Sequence, residues 1–196
     1  MTADSSRLNR AIARFDAANA EDPHRENFEG ADCPKELLYA QRMTAWLERL
    51  APDAPETLRL AVRCQHIRRW ILPRSEYPMN REGYKLWRTT LYDFHAETAG
   101  KILREEGYDE QTIQRVQAIV RKERIKRDAE AQLLEDVACL VFLESYFVDF
   151  ATKHDEAKLI DIVRKTWMKM SDQGYAAALT LKLPPNISGI VQKALA

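Results

Sequence analysis

Glycine is scarce in this sequence: only six of its 196 residues are glycine, against an average usage of about 7%. Few glycines leave few positions for tight hairpin turns and for the glycine-rich loops that bind phosphate. The signatures of P-loop, dinucleotide-binding, serine-hydrolase and zincin enzymes (GxxxxGKS/T, GxGxxG, GxSxG and HExxH) do not occur in the sequence. The composition therefore favours helices and disfavours those enzyme classes.

Cysteines and long apolar runs are also few. Cys33, Cys64 and Cys139 are an odd number at wide spacing, with no CxxC pair, and no apolar run follows Met1. A disulfide framework and secretion are both disfavoured, and we expect a reduced, cytoplasmic protein. The longest apolar run, residues 137–143, is far shorter than the roughly 18 residues of a membrane span, so we expect no membrane partner.

The sequence has no excess of charge of either sign. It contains 30 Lys and Arg and 30 Asp and Glu, so no basic field covers the whole molecule and any anion site must be local. The basic run RKERIKRDAE alternates in sign, which is typical of a solvated helix end rather than of a nucleic-acid contact. Nucleic acid is therefore a disfavoured partner.

Apolar residues recur at helical spacing along most of the sequence. We therefore expect an all-α protein with one compact helical domain. Within it we expect an N-terminal helix and connection over 1–30, a core over 31–152 and a helical extension over 153–196. We expect an ordered loop over residues 72–84, which hold two prolines and a glycine. Asp32 is predicted to cap the second helix. The predicted helices cover about 6–19, 35–50, 55–71, 84–106, 109–120, 128–151, 156–170, 172–181 and the C-terminus.

Three polar residues on otherwise apolar helix faces are candidates for a site: His66, His95 and Asp136. Buried imidazoles and carboxylates need polar partners or a metal ion. Imidazole and carboxylate ligands suit divalent transition metals such as Mn, Fe, Ni or Zn, which can activate water for hydrolysis. In that case all three would bind the metal, with His95 and Asp136 catalytic. The alternative is a hydrogen-bonded core cluster without metal.

Arginines and aromatic residues are concentrated in one segment, QHIRRWILPRSEYPMNREGYKLWR. Guanidinium groups pair with phosphate oxygens and aromatic faces stack on nucleobases, so the segment predicts a site for a nucleotide-like anion. The alternative is a solvated face on which the arginines pair with Glu76, Glu82 and Asp93. The predicted ligand-binding arginines are Arg68, Arg69, Arg74, Arg81 and Arg88.

Several segments resemble one known family over nearly the whole chain. RLNRAIARFDAANAEDP, QHIRRW, PRSEYPMNREGYKLWR, FHAE and QLLEDVACLVFLE are similar to the domain of unknown function 4202 family. That family is functionally uncharacterised, so this resemblance implies no particular chemistry.

A more distant resemblance is to the HD superfamily of helical metal-dependent phosphohydrolases, and it implies an all-helical bundle around one or two metals. His95 and Asp136 stand at the positions of the later histidine and the final aspartate. Gln41 stands where the first histidine would be, and Gln65 and His66 stand where the His-Asp pair would be. Either His66 replaces the missing ligands, or a metal-free pocket survives with Gln41 and Gln65 as hydrogen-bonding groups.

The function that we expect from the sequence is metal-dependent hydrolysis of a nucleotide-like phosphorylated small molecule. One alternative is a non-catalytic protein that binds a phosphorylated metabolite in the same pocket without metal. Another is a helical protein-interaction module. The sequence leaves open whether the protein is an enzyme and whether it forms a homo-oligomer.

Overall fold

The computed structural model describes residues 3–195, and their side chains from Ser6 onward. The chain divides into two compact units, Met1–Arg124 and Ile125–Ala196. The described residues form helices and one two-stranded sheet, which confirms the all-α class. The single domain over 1–196 stays a prediction.

The described residues of the first unit form five α-helices. α1 packs against α2, α3 and α4, while α5 packs against α3 and α4. Their shared interior is filled by large apolar side chains such as Phe15, Met43 and Leu60, all fully buried. The helices are α1 (Ala3–Ala20), α2 (Lys35–Leu50), α3 (Glu56–Cys64), α4 (Arg81–Glu105) and α5 (Glu110–Val120).

The connection between α1 and α2 forms a β-hairpin that the sequence pattern did not predict. β1 (Arg25–Phe28) pairs antiparallel with β2 (Ala31–Pro34). Glu29 and Gly30 between them have φ of 52° and 82°, which suits a primed two-residue turn. The pair is only four residues long per strand, too short to show a clear alternation of apolar and polar residues.

The predicted cap of α2 is wrong, although the predicted span of α2 is confirmed. Asp32 lies in β2, where its carboxylate pairs with Arg25 across the hairpin. The backbone N–H of Glu36 instead donates to Asp22 Oδ2 at 3.0 Å. Asp22 is buried and lies fourteen residues before Glu36, so this cap depends on tertiary structure rather than on local sequence.

α3 ends at Cys64, seven residues before its predicted end. The chain turns at Arg68, which has a positive φ of 51°. The N–H of Arg68 donates to the side-chain oxygen of buried Asn19 at 3.0 Å. This hydrogen bond from a distant helix stabilises a backbone conformation that L-residues rarely adopt.

The arginine-rich segment contains two short 3-10 turns, Arg69–Ile71 and Arg74–Glu76. α4 begins within this segment at Arg81, three residues earlier than predicted, because the Asn80 side chain accepts the N–H of Gly83 at 2.8 Å. Asparagine at this position is a strong helix start.

The second unit contains the remaining helices. Asp128 caps α6 by accepting two N–H groups of its first turn. A π-helical segment, Phe142–Tyr146, joins α6 to α7, so the single helix predicted over 128–151 is interrupted. The helices are α6 (Ala129–Val141), α7 (Phe147–Ala151), α8 (Glu156–Trp167), α9 (Asp172–Ala178) and α10 (Pro185–Leu195).

Two further features of the described residues concern the cysteines and the composition of the helices. Cys64 and Cys139 are free and buried. None of the described helices combines the length and the apolar composition that crossing a membrane requires.

We predict that Gly83→Ala destabilises the protein by about 1–3 kcal/mol, since overpacking a filled site has that cost. A Cβ at Gly83 would lie 2.1 Å from the carbonyl oxygen of Pro78. Denaturant unfolding followed by circular dichroism measures the change.

The matched control is Gly189→Ala in α10, where a Cβ would meet nothing within 4 Å. Alanine should there be neutral or stabilising, because glycine is a poor helix former. Equal stability of Gly83→Ala and the unmodified protein would contradict the close approach.

Candidate functional site

The predicted site residues lie in both units. Gln65 and His66 follow the end of α3, and His95 lies in α4 of the first unit. Asp136 lies in α6 of the second unit. We describe the surroundings of each in turn.

Asp136 is buried and already fully engaged by hydrogen-bond donors of its own unit. Its Oδ1 accepts the N–H of Ser171 at 2.7 Å and the amide of Gln132 at 3.0 Å. Its Oδ2 accepts the hydroxyl of Ser171 at 2.5 Å. A Cβ at Gly174 would approach the same carboxylate at 2.9 Å. These contacts satisfy a buried carboxylate and join α6 to the start of α9.

His95 is almost completely buried, with 1% of its surface exposed. Its Nδ1 lies 2.8 Å from the carbonyl oxygen of Ile67, and because a carbonyl only accepts, Nδ1 carries the proton. Burial lowers the pKa of His95 to about 3, so the ring is neutral and Nε2 is an acceptor. Among the described residues, that Nε2 has no hydrogen-bond partner.

His66 lies beside His95, with 5.8 Å between the two ring centroids. Its Nε2 is 3.1 Å from Nη1 of Arg69, and a guanidinium only donates, so Nε2 is the acceptor. Its Nδ1 faces Oε2 of Glu36 at 3.4 Å. Burial and the charge of Arg69 hold the pKa of His66 well below its usual value. The His66–Glu36 contact is therefore not an ion pair at neutral pH.

Glu36 is a site residue that the sequence analysis missed. Burial raises its pKa to about 7, against the opposing effect of Arg69, whose Nε is 3.9 Å from Oε1. The sequence does contain a signal for this residue: Glu36 falls on the same side of α2 as Ala40, Met43 and Leu47, which are buried. An acidic residue on such a stripe needs an explanation.

We call Glu36, His66, Arg69 and His95 the histidine cluster. Gln65 and Tyr39 support it from one side. The Tyr39 ring stacks on His66 with 4.2 Å between centroids, and its hydroxyl donates to the side-chain oxygen of Gln65 at 3.2 Å. Gln65 is buried, as expected, but its described partner is this tyrosine.

Three cations act on the two histidines. Arg69 lies over the face of Trp87, 5.0 Å from the ring centroid. Arg88 lowers the pKa of both histidines, and Lys122 lowers that of His66. Each effect follows from the repulsion between a cation and a protonated imidazole. The surroundings of the two histidine rings therefore disfavour a further positive charge.

The other predicted binding residues have different surroundings. Arg68 pairs with Glu21 at 2.7 Å. Arg74 donates to the carbonyl oxygens of Tyr77 and Pro78 at 2.9 and 2.7 Å. Arg81 and Gln41 are exposed. The structure thus brings Arg69 into contact with His66. Arg88 donates to the Tyr92 hydroxyl and acts on the two histidines through its charge, while Arg68 and Arg74 contact protein acceptors elsewhere.

The predicted metal site involves His66, His95 and Asp136. Among the residues that the structure describes, no group of three or more His, Cys, Asp or Glu side chains is arranged to hold a metal ion. Asp136 belongs to the second unit and the two histidines to the first. Metal binding by these three residues stays a prediction.

Comparison with known proteins identifies the family. A family model described as domain of unknown function (DUF4202) matches residues 9–191. The chain belongs to the DUF4202 family. No curated protein and no solved structure matches it, so the distant resemblance to the HD superfamily stays a prediction.

We predict that Glu36→Gln makes the protein more stable at pH 8, by up to about 3 kcal/mol. The pKa of Glu36 rises from 4.5 to about 7 on folding, and each pH unit between these values corresponds to about 1.4 kcal/mol. The unfolded chain loses this proton first, so the contribution is fully present below pH 4.5 and is lost as the pH rises to about 7.

Denaturant unfolding at pH 4 and pH 8 tests this expectation. The variant and the unmodified protein should be similar at pH 4 and differ at pH 8, whereas Glu97→Gln, at an exposed position of α4, should change little at either pH. A Glu36→Gln protein that is less stable at pH 8 would contradict the prediction, because it would show that the ionised carboxylate stabilises the folded protein.

Proposed function

We propose that the first unit binds a small phosphorylated metabolite at the histidine cluster without a metal ion. The observation that carries this proposal is the setting of Arg69. Its guanidinium is largely buried, yet it contacts neutral His66 and faces a carboxyl group 3.9 Å away whose pKa is about 7. A buried cation with so little compensating negative charge is a good partner for an anion.

The chemistry of the neighbouring groups supports phosphate as the bound anion. Arg69 has several donors in a planar fork that matches phosphate oxygens. Arg88 adds a second positive charge, as its effect on both histidines indicates. A bound phosphate would accept from Arg69 in place of His66 Nε2, and the Trp87 face would hold the guanidinium in position.

Binding without metal is favoured over metal-dependent hydrolysis by the state of Asp136. As a metal ligand, Asp136 would have to give up hydrogen bonds from Ser171 and Gln132. Hydrogen bonds to a charged group contribute about 1.5–3 kcal/mol each, and a metal ion would have to offset their loss. The positive charges near His66 and His95 also disfavour a metal cation at these two rings.

Titration calorimetry with propyl phosphate at pH 6.5, below the pKa of about 7 at which Glu36 ionises, tests the proposal. We expect saturable binding, and we expect Arg69→Gln to weaken it at least tenfold, because a hydrogen bond to a charged group contributes about 1.5–3 kcal/mol. Arg69→Gln should remain folded, because Glu36 can take up a proton when the cation is removed.

Arg104→Gln is the matched control. Arg104 is an exposed arginine in the last turn of α4 that pairs with Glu110 at 2.9 Å, so its loss should leave the affinity unchanged. An unmodified protein that does not bind propyl phosphate, or an Arg69→Gln protein that binds it equally well, would refute the proposal.

A further inference from the structure

We propose that the bound anion also carries a hydroxyl group, which donates a hydrogen bond to Nε2 of His95. This inference rests on the proposed function and narrows it to phosphorylated polyols and sugars. It depends on the tautomer of His95, on the burial of its ring and on the charges around it.

The tautomer of His95 is fixed by its backbone contact. Nδ1 donates to the carbonyl of Ile67 at 2.8 Å, so the lone pair of the neutral ring is on Nε2. That atom is buried and has no partner among the described residues. A buried acceptor without a donor is unfavourable, so a ligand that supplies a donor gains affinity there.

The charges around His95 indicate what kind of donor fits. Arg69 and Arg88 both lower its pKa, so the potential at the ring is positive and a cationic donor or a metal ion would be repelled. A fully ionised phosphate oxygen has no proton to donate to a lone pair. A neutral hydroxyl group meets both conditions.

The two groups that the ligand would contact, Arg69 and His95, lie close together. Arg69 lies 3.1 Å from Nε2 of His66, and the His66 ring is 5.8 Å from the His95 ring. A phosphate at Arg69 and a hydroxyl at His95 can therefore belong to one small molecule. A short polyol phosphate is the simplest ligand of this kind.

Glycerol 1-phosphate and propyl phosphate form a matched pair of probes, because they share the chain length and the phosphate and differ in hydroxyl groups. We expect the unmodified protein to bind glycerol 1-phosphate at least tenfold more tightly than propyl phosphate in titration calorimetry.

Two variants of His95 distinguish the acceptor atom Nε2 from the hydrogen bond that Nδ1 donates to the carbonyl of Ile67. Asparagine can keep an N–H towards the carbonyl of Ile67 but lacks an acceptor at the ε position, whereas glutamine can place its oxygen there. We expect His95→Asn to lose the preference for glycerol 1-phosphate, so that it binds the two probes with similar affinity, and His95→Gln to keep part of the preference.

Nitrogen NMR of the unmodified protein gives a readout that does not depend on a variant folding. The His95 Nε2 resonance should shift when glycerol 1-phosphate binds and stay in place when propyl phosphate binds. A shift of equal size with both probes would overturn the hydroxyl contact.

The remaining outcomes distinguish this inference from the proposed function. Equal affinity for both probes would overturn the inference alone, whereas failure to bind either would overturn both. If the protein sediments with phosphatidylglycerol vesicles but does not bind free glycerol 1-phosphate, the ligand is a lipid headgroup. That result would overturn the inference as well.

Discussion

The contact between Arg69 and neutral His66 is the interaction on which the rest of the candidate site depends. It fixes the His66 tautomer, because the guanidinium donates to Nε2 at 3.1 Å and leaves the proton on the side of Glu36. The same cation opposes the rise in the pKa of Glu36 and lowers the pKa of both histidines. Burial is the main cause of all three pKa shifts, and Arg69 is the one charge that acts on all three groups.

The histidines and Glu36 have opposite effects on how stability depends on pH. For the histidines, the unfolded chain binds protons below about pH 6.5 that the folded rings do not, so stability falls on acidification. For Glu36, the folded chain retains a proton up to about pH 7, so stability falls as the pH rises towards that value. A ligand phosphate would also favour retention of positive charge on the cluster, so its affinity and the protonation of these groups are coupled.

Much of the fold follows from local sequence, while the candidate site does not. α5 agrees with its predicted span because short-range patterns specify it, as with the Asp109 cap on the N–H of Thr112. The end of α3 and the start of α2 depend on Asn19 and Asp22, which are distant in sequence. Glu36 joins the cluster for the same reason, since only tertiary packing brings α2 next to His66. His66 and His95 could be selected because imidazoles on apolar faces stand out in a sequence.

The arginine-rich segment shows why composition alone could not separate ligand-binding residues from structural ones. Arg74 donates to the carbonyls of Tyr77 and Pro78, and the carbonyl of Pro78 occupies the space next to Gly83 in the first turn of α4. This arginine therefore stabilises the loop that leads into the helix bearing Arg88 and His95. Arg69 differs because it contacts a neutral ring rather than carbonyl oxygens. The acceptor that each guanidinium meets, and not its place in the run, decides whether it remains available to an anion.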